Sequence, residues 1–155
     1  MTHNRHRASL TGLAIAWRGT AVLISPPAVR LFGNSSSLPM AFVGQALMWV
    51  LAAVIVAIVF EELLFRGYSI TRLTMLTGNV WLAGALALVA FAALHVPYGG
   101  WGFAIMSLLG GAVATTFFIL KKDLLAMMVF HAITDAMGFV IGPMFSEWWK
   151  EPPLA

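Results

Sequence analysis

Six ionisable residues, Glu61, Glu62, Arg66, His95, His131 and Asp135, lie within otherwise apolar stretches of the chain. A charged side chain at bilayer depth costs at least about 2.5–3.5 kcal/mol, so each is by default a functional-site hypothesis. Helix geometry sorts them into partners. Glu62 and Arg66 are four residues apart with the acid first, the favourable order for an ion pair on one helical face. Glu61 stands about 100° around the helix from Glu62 and is left free to act as a base. His131 and Asp135 repeat the four-residue spacing, so the carboxylate can accept from one ring nitrogen and leave the other facing a substrate or metal. Gly78 lies 17 residues after Glu61 and 17 before His95 (78 − 61 and 95 − 78), which puts those two at similar depth in an antiparallel hairpin turning at Gly78. His131 has no such match. Counted from the Lys121-Lys122-Asp123 turn, it needs helices of unequal length or tilt to reach the level of His95.

The elements that must position these groups are membrane helices. The chain is 61% hydrophobic and only 10% charged, with a mean hydropathy of +0.90, far from the soluble norm of about 25% charged residues. Its 155 residues accommodate about five spans of about 20 residues each. Apolar segments near 10–30, 42–76, 80–96, 101–120 and 124–142 predict an all-α polytopic bundle of about five helices with a four-helix core. Residues 1–40 read as an N-terminal anchor or interfacial helix with a linker, 41–145 as the core and 146–155 as a short polar tail. The first segment is interrupted by Arg18 and by Pro26-Pro27, so it either spans or lies at the interface. Its basic start, from His3 to Arg7, resembles a signal peptide's n-region, but no small-residue cleavage site follows and an anchor is the preferred reading. The Asn34-Ser35-Ser36 glycosylation match is too short to carry weight.

There is no cysteine, which excludes disulfides, thiol nucleophiles and thiolate metal sites. The net charge of +3 comes from dispersed Lys and Arg, so nucleic acid is not an expected partner; membrane lipid and a membrane-associated peptide or protein are. Arg5 and Arg7, Arg72, and Lys121 with Lys122 all fall on one side if the helices alternate, and the positive-inside rule makes that side, with the N-terminus, cytoplasmic. A bacterial plasma membrane is the expected location. Trp81, Trp101, Trp148 and Trp149 sit near predicted helix ends, where indole rings favour the interface.

The ionisable residues also carry a family pattern. Glu61-Glu62-Leu63-Leu64-Phe65-Arg66 resembles the Glu-Glu-x-x-x-Arg motif of the CPBP family, the CaaX-protease and bacteriocin-processing (Abi) intramembrane proteases. Phe91-Ala92-Ala93-Leu94-His95 resembles its Phe-x-x-x-His motif, and His131-Ala132-Ile133-Thr134-Asp135 its His-x-x-x-Asn/Asp motif. The three occur in family order over about residues 42–142, with Asp135 where many members carry Asn. The resemblance implies peptide-bond hydrolysis inside the membrane, with Glu61 and His95 activating a water, His131 and Asp135 stabilising the oxyanion, and Glu62 with Arg66 supporting the site. It leaves two chemistries open. Glu61, His95 and His131 could serve as a three-ligand zinc site; a metal-free mechanism is preferred because no His-Glu-x-x-His spacing is present.

Each element has a plainer reading as well. A Glu–Arg pair four apart serves as a helix clamp, a single membrane histidine as an inter-helix donor, Phe65 and Phe91 as packing, and Gly84, Gly110, Gly111 and Gly138 as points of close helix approach. A non-catalytic immunity or assembly factor would keep the same scaffold. An ion-coupled transporter would use the same residue types, but usually with more helices or an inverted repeat.

Overall fold

The structure, a computed structural model, describes residues 45–137. The expected segment 10–30, the linker, the tail, Gly138 and the tryptophans at 148 and 149 lie outside the described residues. Four helices make up the described part: α1 over Leu47–Thr77, α2 over Val80–Pro97, α3 over Gly99–Lys121 and α4 over Leu124–Asp135. The first three are long and apolar enough to cross a membrane, and α4 is a shorter apolar helix of 12 residues. Among the described residues there is no strand. At most 33% of each span's most apolar window is buried inside the protein, so the larger part of each apolar surface faces outward, as lipid-facing helices require. The chain is an integral membrane protein.

The breaks fall where the turn chemistry lies. Gly78 adopts a left-handed φ of 68° and closes α1 by donating its N–H to the carbonyl of Thr74 at 2.9 Å. Asn79 then caps α2, its Oδ1 accepting from the backbone N–H of Trp81 and Leu82 at 2.9 and 3.1 Å. Asp123 caps α4 in the same way through Ala126 at 2.9 Å. Between α2 and α3 the helical run continues but bends at Gly100, whose φ of 70° and ψ of −175° belong to a region open essentially to glycine alone.

Packing follows small residues. A Cβ on Gly84 would come within 2.7 Å of Ile119, and one on Gly111 within 2.7 Å of Leu88 and 3.3 Å of Phe91. Rising numbers on α3 thus meet falling numbers on α2, which makes the two antiparallel and in close contact. The main apolar cluster joins Ile70, Ala83, Ala87, Ala114, Phe118, Ala126, Met127 and Phe130, one or more from every helix. A second cluster, Val50, Val54 and Ile58 at four-residue intervals, packs α1 on Met128 and Ala132 of α4. By this topology the end of α1 that carries Arg72 and the end of α3 that carries Lys121 lie at the same end of the bundle, opposite the Gly100 bend.

One local feature departs from the expected regular helix over 42–76. From Glu62 to Ser69 the helix widens to π geometry for eight residues before α-helical pairing resumes at Ile70. π turns are rare and concentrate at functional sites. Gly67 sits within this stretch with Leu124 of α4 3.6 Å from where its Cβ would be, ordinary packing distance, so α4 starts alongside the widened turn.

Glu62 and Arg66 both lie in the π stretch and are 0% and 2% exposed, joined by a hydrogen-bonded ion pair of 2.9 Å from Nη1 to Oε1. Removing one partner of a buried pair leaves an uncompensated charge, about 3–5 kcal/mol of destabilisation. Arg66→Ala is therefore expected to lower both the folded yield in detergent and the melting temperature; a normal yield with a normal melting curve would contradict this account.

Candidate active site

The buried carboxylate of Glu62 organises the site. Its Oε1 accepts from Arg66 Nη1 and also from His131 Nδ1, each at 2.9 Å. A carboxylate paired with a guanidinium can only accept, so the hydrogen on His131 is assigned to Nδ1. That leaves Nε2 as the nitrogen turned to the remaining acids, 3.7 Å from Glu61 Oε2 and 3.6 Å from Asp135 Oδ2. These are ion-pair distances rather than direct hydrogen bonds. Asp135 thus meets one nitrogen of His131 through their four-residue spacing, at ion-pair distance, while the shorter bond to the other nitrogen comes from Glu62, 69 residues away in sequence. The other oxygen of Glu62, Oε2, is buried and meets no hydrogen-bond donor among the described residues.

The depth problem posed by His131 resolves through the start of α4. Because Leu124 lies against Gly67, α4 begins well below the Gly78 turn. His131 then lies seven residues down α4 and Glu62 five residues down α1 from that common level, and the short α4 beside the long α1 supplies the unequal length that the sequence requires.

His95 is positioned by its own helix. Nδ1 donates to the carbonyl of Phe91 one turn earlier at 2.7 Å, which leaves Nε2 as the open nitrogen. Its ring is 4.6 Å from that of Phe91 and 5.2 Å from that of Phe103. Phe91 does more than pack. Its face carries the Arg66 guanidinium at 4.5 Å, its ring meets Phe65 edge-on at 5.2 Å, and the ring of His131 lies 6.3 Å away. One phenyl ring thus touches or borders the ion pair and both histidines. The four-residue spacing from Phe91 to His95 was the available signal for this; nothing in sequence pointed to the Glu62–His131 bond or to Phe103.

Glu61 and His95 line a single groove of about 720 Å³, whose remaining wall is apolar and includes Trp49, Ala53, Val56, Ala57, Phe60 and Leu64. Glu61 is partly exposed in contrast to Glu62, so the two adjacent acids have opposite environments: one faces the groove, the other is sealed behind it. The groove runs along the face of α1 that ends at Glu61. This arrangement brings together Glu61, Glu62, Arg66, His131 and Asp135 through direct or near contacts, and His95 joins them across the groove and through Phe91.

A metal would need converging donors with free lone pairs. Among the described residues no group of three or more His, Asp or Glu side chains is arranged to hold a metal ion. Two of the four histidine ring nitrogens in the site are engaged, one with Glu62 and one with the Phe91 carbonyl, which leaves Nε2 of each ring as the nitrogen available to a substrate, a water or a metal.

Comparison with known proteins gives a single kind of match. Residues 43–137 match the family described as type II CAAX prenyl endopeptidase Rce1-like, a span that contains α1 to α4 and all six ionisable residues of the site. No protein of curated function and no solved structure matches the chain. The family match agrees with the CPBP pattern carried by the three motifs and covers more than half of the chain, and on that ground this protein belongs to the Rce1-like family of type II CAAX prenyl endopeptidases.

Proposed function

We propose that the protein is an intramembrane endopeptidase that hydrolyses a peptide bond of a membrane-associated substrate by a water activated between Glu61 and His95. The observation that carries this reading is that both side chains open onto one apolar groove, with a second histidine held at the edge of Glu61 by a buried carboxylate. An apolar groove can receive a lipid-embedded chain, and polar groups at its end are where a scissile bond would have to reach.

In this mechanism Glu61 takes a proton from water as hydroxide adds to the substrate carbonyl carbon, and His95 orients the water through Nε2. Negative charge develops on the carbonyl oxygen. His131 donates to it through Nε2, so its ring must carry both hydrogens, a cation held among the carboxylates of Glu61, Glu62 and Asp135. Asp135 assists by fixing that ring edge. The proton held by Glu61 then passes to the leaving nitrogen, the C–N bond breaks, and a carboxylate and an amine depart. Glu62 and Arg66 touch no reacting atom in this scheme; they hold His131 in register.

The substrate is read as a CaaX-type C-terminus or a leader peptide, and the setting as a bacterial plasma membrane with the N-terminus cytoplasmic. Mass spectrometry of membranes with and without the protein identifies the cleavage product and supplies the assay. With that assay, Glu61→Gln is expected to lower cleavage by about 10²-fold or more while the protein still folds, since the amide keeps the size of the acid but cannot take the proton. His131→Ala should do comparable damage. Full activity in the Glu61→Gln variant would defeat the protease reading, and ion-dependent flux without a peptide product would point to a transporter.

The metal-free chemistry has its own check. Incubation with a strong zinc chelator, followed by its removal, is expected to leave cleavage unchanged. Lasting inhibition that only zinc restores would overturn the mechanism in favour of a metal-dependent one.

A further inference from the structure

The bend that joins α2 to α3 does more than connect two spans. Phe103, the fourth residue after Gly99, folds back until its ring lies 5.2 Å from that of His95 with the planes at 51°. Two glycines permit this. Gly100 takes the φ of 70° that reverses the chain, and a Cβ on Gly99 would fall 2.5 Å from Cβ and 2.6 Å from Cγ of Phe103, closer than real atoms approach. On its other side His95 faces Phe91 at 4.6 Å and donates Nδ1–H to the Phe91 carbonyl. That single bond fixes one ring nitrogen, but the terminal torsion of a histidine is broad and roughly two-fold, so the bond alone leaves room for the ring to swing or flip.

We propose that Phe103, admitted by Gly99 and Gly100, is a positioning residue that confines the His95 ring against Phe91 and keeps Nε2 turned to the groove it shares with Glu61. The inference rests on the reading of His95 as a water-orienting group, since only then does the identity of the open nitrogen affect turnover. Phe103 itself touches no reacting atom. It acts through the ring it covers, and its effect should fall on kcat rather than on substrate capture.

The test uses the full chain in lipid nanodiscs, labelled with ¹⁵N-histidine, with the His95 signals identified by their loss in His95→Gln. Long-range proton–nitrogen spectra report which ring nitrogen carries the hydrogen. The wild type should show His95 as the Nδ1–H form alone, and Phe103→Ala should show a mixture of the two forms. Gly99→Ala should give the same mixture, because its Cβ displaces Phe103. Phe103→Tyr, which keeps the ring, should restore the single form. In the cleavage assay kcat should fall by about 10-fold in Phe103→Ala and Gly99→Ala with KM changed by no more than about 2-fold, less than the roughly 10²-fold loss of a group displaced in every molecule because part of the population keeps the productive form. If Phe103→Ala does not fold, Phe103→Leu, which keeps apolar volume without a ring face, replaces it. An unchanged His95 form in the Phe103 and Gly99 variants overturns the proposal, whatever happens to the rate. Wild-type cleavage in His95→Gln would instead remove the role given to His95 in turnover, and the spectra would still decide whether Phe103 holds the ring.

Discussion

One buried oxygen atom holds this structure together. Oε1 of Glu62 accepts from Arg66 within its own helix and from His131 of the last described helix. In a low-dielectric interior an isolated carboxylate is prohibitively costly, and even a paired one regains its desolvation only if its bonds are short and well directed. Everything around it serves that condition. The π stretch widens α1 at this point, α4 starts alongside it at Gly67, the Arg66 guanidinium packs on α3 at Gly111, and Phe91 covers that guanidinium with its ring. The second oxygen of Glu62 is buried and has no donor among the described residues.

The adjacent acids illustrate how environment divides labour between identical side chains. Glu61 borders the groove and can exchange protons with whatever enters it, whereas Glu62 is sealed and permanently engaged. Neither could exchange roles with the other. The histidines divide in parallel. Each spends Nδ1 on an acceptor belonging to the scaffold, a carboxylate for His131 and a backbone carbonyl for His95, and each presents Nε2 to the space between the helices.

Much of this was legible in the sequence because its governing interactions are local. Hydropathy defined the spans, and the chemistry of Gly78, Asn79 and Asp123 defined their ends, since capping and left-handed closure depend on residues within one turn. The Glu62–Arg66 pair followed from four-residue spacing for the same reason. What escaped was non-local. His131 meets both Asp135 and Glu62; spacing reveals the nearer in sequence, whereas the shorter bond goes to the one brought up by docking α4 on the widened turn of α1. The π geometry was equally hidden, because hydropathy and four-residue spacing read residues 62–69 as ordinary helix. Phe103 escaped because its approach to His95 depends on a chain reversal at Gly100 that hydropathy registers only as a gap between segments.

The bond between Glu62 and His131 also sets an order of events. Its two ends lie on the first and the last of the four described helices, and synthesis delivers them in that sequence. Until α4 has been made and has docked, α1 carries its acid pair without the imidazole, and His131 does not stand beside Glu61. The six ionisable residues therefore come together only when the last described helix docks, so the completeness of the site reports the completeness of the four-helix bundle.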